Sequence, residues 1–309
     1  MKQEIRIPHH IISRMHTIAL LVSMAGLLSL LGWFLAGFSG IKTALIITAL
    51  AFAFTPRMPS RLTMKSLRAR PLNPRVVPGL YAITGKLSGR AGLDRAPDLY
   101  YLPSPKLNAF SAGSGKDSAI GITHGLLSAL TTREMAGILS HEITHIKNND
   151  MQIMALSAVF GRITGYLSLA GQILLLMSVP LAISGAMEIS FLPLLLMIFA
   201  PAISTMLYFA LSRTREFEAD LGSLTLLNDP HALASALSKV EQSQLNGWRR
   251  MFIPLAAKPA PLLQSHPATK ERVRRLLEMK PPRPYRQGGD SDHGVGSRYT
   301  SIPIYPQWR

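Results

Sequence analysis

Residues 17–40 carry no charged side chain, and residues 163–212 carry only one, Glu188. A helix that crosses the ~30 Å hydrocarbon core of a bilayer needs about 20 apolar residues. These two blocks therefore constrain the fold more than any other feature of the chain. The first is long for a secretory signal, and no small-residue cleavage site separates it from the next apolar stretch, so it reads as a span. After Lys42, "TALIITALAFAFT" (43–55) is short for a span, and an interfacial or buried helix is its alternative. Pairing with the first span in a hairpin is the reading adopted, with Lys42 snorkelling at the turn. The second block divides into spans at about 163–185 and 189–211, joined at "GAMEIS". Pro180, Pro193 and Pro201 inside it are tolerable where neighbouring groups re-satisfy the freed carbonyls. The expectation is four transmembrane helices in two hairpins.

Charge gives an orientation. The formal net charge is +16 while 48% of residues are hydrophobic, a pairing that suits a membrane protein with its basic residues gathered on one side. Of the 33 Lys and Arg, only Lys42 lies in a hairpin turn. The others fall before the first span, between Arg57 and Arg162, or after Ser212, which places both termini and the middle segment in the cytoplasm. "RMPSRLTMKSLRAR" (57–70) carries most of that weight, and it would also attract anionic lipid headgroups. It contains no DNA-binding motif, so no nucleic-acid partner is expected. The chain has no cysteine, so any metal must be held by His, Asp or Glu.

Between about 71 and 130 the character changes. "PDLYYLPSPKLNAFSAG" and "AIGIT" mix aromatic and β-branched residues with Pro and Gly breaks and predict a small sheet. "GSGK" (113–116) is not a phosphate loop, because the glycine required five residues before Gly115 is Phe110. "TTREMAGILSHEITHIKNND" predicts a helix capped by Thr131 or Thr132, with Glu134 favourable to the dipole in its first turn. That helix is expected to continue through "MQIMALSAVF" towards the third span.

On it, His141 and His145 stand at i and i+4, so both imidazoles leave one face with the separation that two ligands of one zinc ion need. Glu142, a residue further round, can reach a water without binding the metal. The pattern alone is also met by two surface histidines with a helix-favouring glutamate. A third donor favours the metal reading. In "LSRTREFEAD" (211–220), Glu216 and Asp220 again share a helix face. Glu216 could serve as ligand and Asp220 as the carboxylate that orients a ligand imidazole.

With "NAF" (108–110), "HEITHIKNND" (141–150), "SRTREFEAD" (212–220) and "SHPATKERVRRL" (265–276) in this order, the chain resembles the HtpX-type membrane metalloproteases, gluzincins related to the CAAX prenyl proteases. The resemblance covers roughly residues 10–280. It implies a zinc-dependent endopeptidase with one Zn²⁺ per chain, at the cytoplasmic face of a bacterial-type inner membrane. Its substrates would be proteins or peptides, including damaged or misassembled membrane proteins. It implies Glu216, not Glu218, as third ligand beside His141 and His145, with Glu142 as the base. It also implies that Asn108 lies in an edge-strand motif where an extended substrate adds beside the zinc, and that His266 stabilises the oxyanion.

The fold class expected is mainly α with a small β-sheet: four transmembrane helices plus a cytoplasmic zincin-like domain. The organisation expected is a first hairpin within 1–56, catalytic segments at 57–162 and 213–280 around a second hairpin at 163–212, and a disordered tail at 281–309, rich in Pro, Gly, Arg and Ser. "FIPLAAKPAPLLQS" (252–265) reads as an ordered loop leading to His266. The competing readings are a protease processing lipidated carboxy termini, against which the span count argues, and a non-catalytic adaptor, against which the intact Glu142 argues.

Overall fold

The structure, a computed structural model, describes residues 9–54, 59–186, 191–251 and 269–278, with side chains at all but 9–10 and 244–251 of these. The tail at 281–309, the loop at 252–265 and His266 lie outside the described residues. The chain divides into two compact units. Of the described residues, one takes 9–54, 152–186 and 191–214; the other takes 59–151, 215–251 and 269–278.

The first unit is built on long apolar helices: α1 (His9–Phe54) and much of α6 (Asp150–Ile183) and α7 (Phe191–Leu227). These three are long and apolar enough to cross a membrane. The count is three, not the expected four: α1 carries the apolar residues of both 17–40 and 43–54, as two helical arms joined across a kink. α1 leaves helical geometry at Ala36 and at Gly37, whose φ of 58° and ψ of −139° suit a residue without a Cβ. There the chain doubles back. Gly32 and Gly40 meet backbone to backbone, and a Cβ on Gly32 would lie 2.9 Å from the carbonyl carbon of Gly40. Ala51 packs against the buried cluster of Met24, Leu156 and Phe160. The returning arm is shorter than the ~20 residues of a span. Large apolar side chains stay exposed along these helices, Phe38 at 71%, Leu176 at 71% and Phe191 at 75%, as a lipid-facing surface requires.

Pro201 lies inside α7 and cannot donate to the carbonyl of Met197. That carbonyl instead accepts from Ser168 Oγ and from Gln172 Nε2 (3.0 Å), both on α6. The kink donor lost to proline is thus replaced from the neighbouring helix, as an apolar solvent demands.

The second unit holds a four-stranded mixed sheet in the order β1 (Arg70–Pro71), β2 (Asp98–Leu102), β4 (Asp117–Thr123), β3 (Ala109–Ser114). β2 and β4 run parallel, and β3 and β4 form an antiparallel hairpin whose turn contains the Gly115–Lys116 that mimicked a phosphate loop. β3 is an outer strand, with β4 its only sheet neighbour among the described residues. This unit also holds helices α2 (Ser60–Ser66), α3 (Pro78–Ala91), α4 (His124–Ala129), α5 (Thr132–Asn148), α8 (Pro230–Met251) and α9 (Thr269–Glu278), the start of α6 and the end of α7 from Arg215. One core joins Leu80, Ile83 and Leu87 of α3 to Ile120 and Ile122 of β4 and to Met135, Leu139 and Ile143 of α5.

α5 begins with a capping box: Thr131 accepts from the Glu134 N–H while Glu134 accepts from the Thr131 N–H. Glu134 also receives Lys239 Nζ (2.7 Å) and Ser235 Oγ (2.6 Å) from α8, so one carboxylate both starts the helix and pins α8 to it. α5 does not continue into the apolar stretch. It ends at Asn149, in the left-handed region (φ 55°, ψ 35°) that asparagine tolerates, and α6 starts at Asp150.

Candidate metal centre

α5 is buried nearly throughout, and its inner face presents His141 and His145 with their rings edge to face, centroids 4.6 Å apart and Nε2 atoms 3.1 Å apart. α7 presents Glu216, whose Oε2 is 3.5 Å from His141 Nε2 and whose Oε1 is 3.9 Å from His145 Nε2. One donor atom from each of the three lies within 4.8 Å of the others. Donors bound at ~2.0–2.1 Å to a tetrahedral zinc stand about 3.3 Å apart, so the spacing suits such an ion. Two imidazoles, one carboxylate and no thiolate form a donor set that leaves a fourth position for water or substrate. α5 and α7 come this close because Gly222 lies against Thr144, the residue between Ile143 and His145: a Cβ on Gly222 would fall 2.9 Å from Thr144 Oγ1 and nearer still to its Cγ2.

Each imidazole has a carboxylate at its back. Asp220 Oδ1 lies 3.1 Å from His141 Nδ1, and Arg272 of α9 grips both Asp220 oxygens, Nε to Oδ2 at 2.8 Å and Nη2 to Oδ1 at 2.7 Å. The same guanidinium reaches Glu216 Oε2 at 2.9 Å. Behind His145, Asp150 Oδ2 lies 2.7 Å from Nδ1. That contact depends on the break at Asn149, because in an unbroken helix residue 150 would sit about 140° round the axis from residue 145. Burial would push the His141 imidazole down, but the carboxylates of Asp220 and Glu216 outweigh it and raise it to about 9. A metal entering the site must displace that proton.

Glu142 and Asn108 line one cleft with the three donor residues. Its cavity is about 360 Å³, with apolar walls from Leu126, Ile138 and Leu237. Asn108 has its own main chain committed to Thr123: its N–H donates to Oγ1 (3.0 Å), and its carbonyl accepts from the Thr123 N–H (3.1 Å) and hydroxyl (2.8 Å). Glu218, the neighbouring acid in the sequence, is not in the cluster but contacts Arg215. The exposed His16 and His231 stand outside it, and His124 packs edge-on against Tyr101.

Three residues of this centre escape a reading of the sequence. Asp150 is hidden because helical periodicity, carried past 148, points it away from His145. Asn149 before it is the one available signal, as a residue that tolerates the left-handed turn. Arg215 reads as part of a basic membrane flank, and Arg272 arrives from a helix 52 residues beyond Asp220.

A buried His, His, Glu cluster on two helices, with Glu142 in the same cleft and an outer strand alongside, is a candidate metal centre of the kind a metal-dependent peptidase needs. Residues 78–280 match the sequence profile of peptidase family M48, and the chain belongs to that family. Protease HtpX homologs are similar over nearly the whole length. That of Nostoc punctiforme is 32% identical over 292 residues, covering 87% of this chain and 96% of the relative. That of Desulforapulum autotrophicum is 31% identical over 306 residues, covering 94% of each. Among solved structures, the crystal structure of S. mikatae Ste24p aligns with a TM-score of 0.43 and 19% identity over 86% of this chain and 65% of that one. With its long apolar helices, the chain is a multi-pass membrane metalloprotease.

Proposed function

We propose that this protein is a zinc endopeptidase of a bacterial-type inner membrane, cutting damaged or misassembled proteins at the cytoplasmic face. The observation that carries the reading is the donor geometry of His141, His145 and Glu216, with Glu142 in the same cleft. Zinc held by those three residues would polarise the scissile carbonyl and make a water acidic enough to lose its proton near neutral pH. Glu142 takes that proton and passes it to the leaving amine. Asp220 and Asp150 hold the two imidazoles so that Nε2 of each faces the metal. His266 is assigned to the oxyanion through the family resemblance.

Substrate lies extended along β3. Because Asn108 turns its main chain to β4, alternation in an antiparallel ladder directs the N–H and C=O of Ala109 and Ser111 to the outer edge. Those two residues would hold the substrate backbone, and the apolar cleft walls favour a bulky apolar side chain next to the cut bond. The basic segments around the apolar helices support a cytoplasmic site.

The test uses the full chain in detergent: metal content and casein cleavage for wild type and Glu142→Gln, with and without added zinc. About one zinc in each, with cleavage by the wild type alone, is expected. Absence of zinc from the wild type, or cleavage by Glu142→Gln at the wild-type rate, overturns the proposal.

A further inference from the structure

Arg215 immediately precedes the proposed ligand Glu216 on α7. Its side chain is 5% exposed and that of Asp150 is 1% exposed. Arg215 Nη1 lies 3.2 Å from Asp150 Oδ1, while Asp150 Oδ2 takes His145 Nδ1 at 2.7 Å. Arg215 Nη2 meets Glu218, one turn further along α7. Three buried groups and the partly exposed Glu218 therefore form one chain: His145, Asp150, Arg215, Glu218. A carboxylate this deeply buried keeps a fixed place only if both oxygens are partnered. The two oxygens of Asp150 divide the task, one holding the imidazole and the other held by the guanidinium. Glu218 fixes the far arm of the fork, so that the planar guanidinium faces Asp150.

From this geometry we infer that Arg215 is a positioning residue for the metal site, acting through Asp150 on His145. A single turn of α7 then sets two of the three ligands: Glu216 directly, and His145 through the carboxylate behind it. The role also explains why the sequence offers two glutamates so close together. Glu216 serves the metal and Glu218 serves the arginine.

The inference rests on the metal reading of the cluster, and its test reads metal affinity without any substrate. Full-length protein in detergent is titrated with zinc against a competing chelator, and the visible spectrum of the cobalt-substituted protein reports ligand geometry. Removing a partner behind a ligand imidazole typically weakens metal binding by about 10–100-fold. Asp150→Asn and Arg215→Met are each expected to do so and to change the cobalt spectrum. Arg215→Lys, which keeps the charge but not the planar fork, is expected to recover part of the loss. Because the two residues act along one path, Asp150→Asn with Arg215→Met is expected to be little worse than either alone. Wild-type affinity and spectrum in Arg215→Met overturn the inference, as do fully additive losses in the double variant. Should Arg215→Met not fold, Arg215→Lys and the near-isosteric Asp150→Asn decide it, unchanged affinity in Asp150→Asn overturning it. A wild type that binds no zinc sinks this inference and the proposed function together, whereas zinc binding without casein cleavage leaves the positioning role intact.

Discussion

Replacing Gly222 by alanine tests whether the approach of α5 and α7 is what gathers the metal ligands. The new Cβ would lie 3.1 Å from Thr144 Cβ, 2.9 Å from its Oγ1 and closer still to its Cγ2. Carbon atoms rest at about 3.5–4.0 Å, so the helices must part by roughly 0.5–1 Å or more. Thr144 cannot simply turn away, because it is buried and its hydroxyl donates to the Ser140 carbonyl at 2.8 Å. Overpacking of this kind costs about 1–3 kcal/mol, and alanine returns up to about 1 kcal/mol of helix propensity, leaving a net loss of about 0–3 kcal/mol. The effect on metal binding should be larger, because zinc–ligand distances tolerate only about ±0.2 Å. Zinc affinity from chelator competition should fall at least tenfold while the melting temperature drops only a few degrees. Thr144→Ala in the same chain removes the two closest of these atoms, leaving only Cβ at 3.1 Å, and should restore most of the affinity. Should Gly222→Ala bind zinc within twofold of wild type, or the double variant bind no better than the single, close helix packing is not what sets the site.

Glu216→Ala should lower zinc binding by orders of magnitude in equilibrium dialysis, and Glu218→Ala should leave most of it; the reverse result would reassign the third ligand. Glu134 is held down to about 2: burial works against the charge, but Lys239, Ser235 and Thr131 outweigh it. A carboxyl depressed in the folded state stabilises the protein above its unfolded value near 4.5, and the contribution fades as pH falls from there towards 2. Water reaches the pair, since the Lys239 side chain is 40% exposed, so about 1–2 kcal/mol is expected rather than the full linkage value. Melting curves of wild type and Glu134→Gln should therefore converge as pH drops through this window, and a gap that stays constant contradicts the assignment. In the apolar unit, Ser168→Ala with Gln172→Leu strips the Met197 carbonyl of its two donors and should cost about 1–3 kcal/mol in thermal stability. Adding Pro201→Ala supplies the missing helix donor and should recover part of that loss.

The centre was legible in the sequence wherever its parts lie on one regular element. The cap at Thr131, the i, i+4 pair His141 and His145, and the Glu216–Asp220 face follow from helical spacing alone. What was not legible depends on departures from regularity. Asn149 ends α5 in a left-handed residue, and only that break turns Asp150 back to His145. Gly37 breaks α1 and folds it back, and the returning arm is shorter than a span, so three helices of span length remain where four were expected. Arg272 and Arg215 are ordinary charges in a strongly basic chain until tertiary packing buries them against Asp220 and Asp150. Strand β3 begins one residue beyond Asn108, and its pleat turns the main chain of Ala109 and Ser111 to the outer edge.

Strand β3, whose one sheet neighbour among the described residues is β4, would under the proposed function influence which proteins are cut. On the proposed mode of binding, a chain that docks there would first have to release its own backbone hydrogen bonds. Its cleavage rate is then scaled by the fraction of time the segment is locally unfolded, each 1.4 kcal/mol of local stability slowing it about tenfold. A segment held by roughly 5 kcal/mol is protected several thousandfold relative to the same sequence in an unfolded chain. Discrimination of this kind needs no consensus sequence: the enzyme would measure the substrate's opening equilibrium.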